Sequence, residues 1–221
     1  MRKKKITGMS SELTTFIDSY TREVKRCLDT LDTTKIAIAI DMLLEAYKND
    51  RKVFILGNGG SASTASHMTC DLGKGTLRRV YDSEEGRFRV ISLTDNVALI
   101  TAFANDLSFD DVFVQQLRNL VETDDLVITL SGSGNSPNVV RAVKYAKECG
   151  AKTLGLLGFK TGGKLGKLVD CAIVVDSTHY GPIEDVQLAL NHLITSWIAK
   201  IKDIHDRRGS LPSKNKAVPF R

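Results

Sequence analysis

The sequence predicts an α/β fold, with five parallel strands in one sheet and helices on both of its faces. Three observations carry that reading. Short apolar runs recur at Lys52–Leu56, Phe88–Leu93, Leu126–Leu130, Thr153–Leu157 and Cys171–Val175. Each is followed by Gly, Ser or Asp and then by a stretch with helical spacing. Within the runs the apolar residues are largely continuous rather than alternating, as expected of parallel strands covered on both faces.

Two helices come first in chain order. Leu13, Phe16, Ile17, Tyr20, Val24 and Leu28 fall on one helical face over residues 11–30. Ile36, Ile40, Leu43, Leu44 and Tyr47 do the same over about 34–48. The first strand runs into Gly57-Asn58-Gly59-Gly60-Ser61 and then a helix. The segment from Lys74 to Arg87 is polar and longer than most connections in a compact domain, a length that marks functional or mobile loops. The third strand runs into Ser131-Gly132-Ser133-Gly134-Asn135-Ser136, again ahead of a helix. No Pro/Gly-rich linker or internal repeat interrupts the chain. The expected organisation is one domain over 9–204, with its N-terminal helices over 9–50. A basic tail (1–8) precedes it and a basic, disordered tail (205–221) follows.

The 221 residues are 42% hydrophobic and 26% charged, which sets aside disordered, collagenous and coiled-coil classes. No stretch approaches the roughly 20 apolar residues of a membrane span. Met1-Arg2-Lys3-Lys4-Lys5 is followed by polar sequence without an apolar core, so no export signal is read. Cys27, Cys70, Cys149 and Cys171 form no C-x-x-C pair and are expected as free thiols in a reducing compartment, the cytoplasm. The net charge of +5 is concentrated at the ends: residues 1–5 and 201–221 carry +4 each, leaving −3 for the rest. Aromatics do not interleave with those charges, so neither a nucleic acid nor a membrane partner is expected.

In open α/β sheets ligands bind beyond the carboxyl ends of the strands. The two Gly/Ser loops lie there, each before a helix, and exposed amides and hydroxyls at such a place suit a phosphate. Neither loop ends in the G-K-[ST] of a Walker motif or matches G-x-G-x-x-G, so no nucleotide cofactor is expected. His67 and Asp71, four apart, share one helical face. Glu184 and His192 lie eight apart on the last helix and can reach a common cavity. Two imidazoles with two carboxylates suit general acid–base chemistry or a divalent metal such as zinc.

The Gly57–Ser61 loop, His67 and Asp71, the Asn105-Asp106 pair, the Ser131–Ser136 loop and the last helix with its terminal His192 occur in an order that resembles the SIS (sugar isomerase) domain family. The branch most resembled is the phosphoheptose isomerases. The resemblance runs from the first helix to about Lys200. It implies a flavodoxin-like three-layer sandwich whose N-terminal helices serve oligomerisation, with a homotetramer as the expected assembly. It implies an aldose–ketose isomerase acting on sedoheptulose 7-phosphate through an enediol. The phosphate would be held by Ser131, Gly132, Ser133 and Ser136. Asn58, Gly59, Gly60, Ser61, Asn105 and Asp106 would line the sugar site. His67, Asp71, Glu184 and His192 would form the zinc set, with Asp71 or Glu184 as base and His192 as acid. Two positions depart from the family pattern, which has Glu at 71 and Gln at 184: the long carboxylate has moved to the other helix, and the added charge favours a cation. Two further readings stay open: an isomerase of another ketose phosphate, and a non-catalytic binding module of the kind that associates with a replication initiator.

Overall fold

The computed structural model describes residues 9–207. The expectations for the tails at 1–8 and beyond Arg207 lie outside the described residues. Helices α1 (Met9–Asp29) and α2 (Thr33–Lys48) precede β1 (Lys52–Gly57), α3 (Gly60–Cys70) and β2 (Arg89–Ser92). Then come α4 (Val97–Asp106), α5 (Val112–Leu120), β3 (Leu126–Ser131) and α6 (Pro137–Glu148). The chain continues through β4 (Lys152–Leu157), two short helices α7 (Phe159–Gly162) and α8 (Leu165–Leu168), β5 (Cys171–Val174) and the long α9 (Tyr180–Arg207). All five expected strands form one sheet in the order β2-β1-β3-β4-β5, every pair parallel.

Every residue of β1 and β3 is buried, which is why their apolar runs do not alternate with polar positions. Successive side chains still point to opposite faces. Val53, Ile55, Ile128 and Leu130 join one core with Ile36 and Leu43 of α2, Met68 of α3 and Leu190 of α9. Phe54, Leu56 and Val127 join the other with Leu117 of α5 and Val143 of α6. The result is a three-layer sandwich. Asp32 starts α2 by accepting hydrogen bonds from the backbone N–H of Thr34 and Lys35.

The strand order reverses between β1 and β3, neighbours in space whose following helices, α3 and α6, cover opposite faces. That divergence opens a crevice at the carboxyl ends of the two strands, flanked by both Gly/Ser loops.

The long connection after α3 begins as a wide π-type turn over Asp71–Gly75. Its remainder is fastened by polar side chains. Glu85 accepts from the N–H of Arg78 and Arg79, Lys202 Nζ donates to the carbonyl of Gly86 at 2.9 Å, and Arg78 Nε reaches Asp203 at 2.6 Å. The charge pattern places Lys202 in the basic C-terminal end. The structure instead buries it on α9, facing this loop, with its ammonium 5.0 Å from the Tyr47 ring.

Candidate active site

The loops after β1 and β3 enclose a cavity of about 280 Å³. Asn58, Gly59 and Ser61 line one side; Ser131, Gly132, Ser133 and Ser136 line the other. Tyr180 and Glu184, on the first turns of α9, complete the wall. The β3 loop braces itself: Ser131 Oγ accepts from the Gly134 N–H at 3.0 Å, and Ser133 Oγ from the Asn135 N–H at 3.2 Å. Gly134 has φ +63°, and a Cβ there would fall 1.8 Å from the Gly162 carbonyl oxygen, so only glycine fits. Ser136 caps α6 with Pro137 in its first turn, so this helix starts at the cavity wall. Among the described residues the Ser136 hydroxyl has no hydrogen-bond partner. Ser61 is already engaged, its buried Oγ donating to Gln187 Oε1 at 3.0 Å. Asn58 and Asn138 exchange a reciprocal pair of amide hydrogen bonds, both 3.0 Å, across the two loops.

Glu184 projects against the start of α3. A Cβ on Gly60 would meet its Oε2 at 2.2 Å, so glycine at 60 is what gives the carboxylate its room. Among the described residues no hydrogen bond or ion pair engages that carboxylate.

Further along α3 and α9 stands a second group. His67 Nε2 and His192 Nε2 are 3.2 Å apart, and Asp71 Oδ2 lies 3.4 Å from the first and 3.8 Å from the second. The rings meet edge to face, both imidazoles are largely exposed, and the Asp71 carboxylate is half-buried. A tetrahedral zinc with bonds of about 2.0–2.2 Å separates its ligand atoms by roughly 3.3–3.6 Å. The three separations here bracket that edge length, and two imidazoles with one carboxylate are a fitting donor set. Glu184, expected as a fourth member, is not in this group. It stands in the neighbouring cavity. Asn105 and Asp106 end α4, where Asn105 Nδ2 donates to Asp106 Oδ1 at 2.9 Å. Both are exposed, and neither lines the cavity.

Residues 15–158 match the family model of the SIS domain. A phosphoheptose isomerase of Nitratiruptor sp. is 38% identical over 156 residues, covering 70% of this chain and 80% of that protein. One from Helicobacter pylori strain P12 is 35% identical over 182 residues, covering 82% and 91%. The solved phosphoheptose isomerase of Neisseria gonorrhoeae superposes with a TM-score of 0.77 at 27% identity, over 87% of this chain and 99% of that one.

The chain belongs to the SIS domain family, among its phosphoheptose isomerases. It is an isomerase, and the sheet described above is the SIS fold.

In this SIS domain the first helix reaches the cavity's outer wall. Tyr20 Oη donates to Asp185 Oδ2 at 2.5 Å, and this bond, with the surrounding burial, pushes the phenol up to about 12. One turn on, Glu23 accepts from Arg26 and from Ser177 Oγ in the loop before α9. Those two partners hold the Glu23 carboxyl down at about 2. The start of α9, which carries Tyr180 and Glu184, is thus tied to α1 by two hydrogen-bonded carboxylates.

Sequence reasoning missed three site residues. Tyr180 lines the cavity but sits in a stretch read only as the start of a helix. Asn138 holds Asn58, and its only local signal was its place one residue after Pro137. Asn191 directly precedes His192, is fully buried, and donates from Nδ2 to Asp71 Oδ2 at 2.7 Å. Its one available signal was a set of polar residues four apart, Gln187, Asn191 and Thr195, among the apolar positions of the last helix.

Proposed function

We propose that this chain interconverts sedoheptulose 7-phosphate and D-glycero-D-manno-heptose 7-phosphate through an enediol, as a homotetramer in the cytoplasm. The observation that supports it most is the Glu184 carboxylate, without a hydrogen bond or ion pair among the described residues, set in a cavity framed by two Gly/Ser loops beside the His67–Asp71–His192 group. Ser136, together with the backbone of Gly132 and Ser133 and the start of α6, holds the phosphate. Binding energy there, remote from the reacting carbons, orients the sugar chain. Asn58, kept in place by Asn138, faces the same space.

Glu184 takes the proton from C1 of the ketose and returns it to C2. Among the carboxylates of the site it is the one left free to do so, because Asp71 is engaged by Asn191 and lies beside both imidazoles. The hydroxyl proton leaves O1 and arrives at O2 at the His67/His192 edge, so each proton lost is regained and no redox partner is needed. Positioned groups of this kind contribute typically about 10²–10⁴-fold each. His67, Asp71 and His192 would hold a zinc ion, which when bound polarises the carbonyl oxygen and stabilises negative charge on the enediol oxygens.

The test is turnover of sedoheptulose 7-phosphate followed by proton NMR in heavy water, run as purified, with chelator and with added zinc. An aldose phosphate deuterated at C2 is the expected product, with activity lost to chelator and regained with zinc. Saturable binding without turnover sinks the heptose assignment. Absence of both binding and turnover sinks the isomerase reading of the site.

A further inference from the structure

Asn191 stands out once the site is assembled. Its side chain is completely buried. Its Nδ2 donates to Asp71 Oδ2 at 2.7 Å, while its Oδ1 is buried and has no hydrogen-bond partner among the described residues. A buried amide with an orphaned acceptor is costly to keep in a core. The same position filled by an apolar side chain of similar volume would avoid that cost. What the amide supplies is one directed hydrogen bond, and its recipient is a carboxylate in the histidine group.

The need for such a bond is visible in the backbone. Asp71 is the first residue of the π-type turn, where the helix that carries His67 widens. Its side chain is short, and its Oδ2 must lie near His67 on its own helix and His192 on α9. Free rotation about its side-chain bonds would carry the oxygen out to solvent, since the residue is only half-buried. Asn191 is adjacent in sequence to His192, so one turn of α9 presents both the imidazole and the amide that fixes the carboxylate beside it.

We propose that Asn191 is a positioning residue. It holds the Asp71 carboxylate in the orientation that completes the His67–Asp71–His192 group. It touches neither the sugar nor the reacting carbons. The proposal rests on the isomerase reading only for its effect on turnover; the orientation of Asp71 is a separate observable.

The variant is Asn191→Leu, which keeps the volume and removes the donor. Zinc alone is titrated calorimetrically into it and into wild type. Loss of a hydrogen bond to a ligating carboxylate costs about 10–100-fold in metal affinity, and that is the expected weakening. The Asn191→Leu melting temperature should be unchanged or higher, because the orphaned acceptor goes with the amide. Its kcat should fall with KM for the sugar phosphate little altered. Its crystal structure should show Asp71 Oδ2 withdrawn from at least one imidazole.

Zinc affinity within threefold of wild type, or an Asp71 carboxylate still within 4 Å of both Nε2 atoms, overturns the proposal. So does a loss of affinity accompanied by a matching drop in melting temperature, which marks a merely structural residue. If wild type itself shows neither zinc binding nor turnover, the functional reading has failed. The crystal structure of Asn191→Leu still decides whether the amide orients Asp71.

Discussion

Replacing Gly60 with alanine isolates the role of Glu184 without touching it. The new Cβ would stand 2.2 Å from Glu184 Oε2, 2.4 Å from Cδ and 2.7 Å from Oε1. Carbon and oxygen atoms pack at well over 3 Å, so the carboxylate must retreat by about 1 Å. It is the far end of a flexible side chain with no hydrogen bond among the described residues to hold it, so the retreat costs the fold little. Gly60 opens α3 with a φ outside the left-handed region, and alanine is the better helix former by up to about 1 kcal/mol. Stability is therefore expected to hold or rise. Catalysis is not, because a misplacement of about 1 Å in a reacting group is worth roughly 10²-fold, or about 2.7 kcal/mol in the barrier. The assay is steady-state turnover of sedoheptulose 7-phosphate beside a thermal melt. A hundredfold loss in kcat with an unchanged melting temperature is the expected pair of results. Turnover within threefold of wild type, or an effect confined to KM, refutes Glu184 as the group that moves the carbon-bound proton.

Glu184→Gln keeps shape and removes the base, so kcat should fall by about 10²–10⁴ with phosphate binding retained; turnover within tenfold of wild type would move the base to Asp71. Ser136→Ala removes the hydroxyl that has no other partner among the described residues. A hydrogen bond to a charged group is worth about 1.5–3 kcal/mol, so KM should rise roughly ten- to a hundredfold with kcat held; a change in kcat alone would contradict the phosphate role. Glu23, held at about 2 by Arg26 and Ser177, has its carboxyl depressed in the folded state. Its contribution is present above the ordinary value of 4.5 and is lost as pH falls from there toward 2. Glu23→Gln should flatten the fall of melting temperature across that window, and identical pH profiles for the two proteins would refute the linkage.

How much of this was legible in the sequence depends on whether the cause was local. The strands were, because β1 and β3 are buried on both faces and their apolar runs say so directly. His67 and Asp71 were, because a spacing of four fixes a shared face, and the structure places them 3.4 Å apart. The Ser131–Ser136 loop was legible in composition but not in use: its first two serines brace the loop, and the free hydroxyl is Ser136. Lys202 read as part of a solvated basic end, since charge in sequence carries no sign of a partner. Its partners, Glu85 and Gly86, lie more than 100 residues earlier in a loop with no periodicity. The role of Asn191 could not be read for the same reason, since its partner Asp71 lies 120 positions earlier.

The two departures from the family pattern also change meaning once they are placed in space. On the sequence, Asp at 71 and Glu at 184 read as a long carboxylate moved from one helix to the other, with both serving one metal set. In the structure the two carboxylates are divided between neighbouring sites. The short one lies beside both imidazoles and is fixed by an amide from α9. The long one is left out of that group and lines the cavity between the two Gly/Ser loops, in space that only a glycine at 60 provides. A side chain shorter by one methylene needs a tether to reach two imidazoles, and Asn191 is that tether. A longer one needs clearance instead, and Gly60 gives it. If Asn191→Leu and Gly60→Ala each lower kcat, but only the first weakens zinc binding, the division of labour between the two carboxylates follows. If Gly60→Ala weakens zinc binding as well, Glu184 belongs to the metal set after all, and the base must be sought at Asp71.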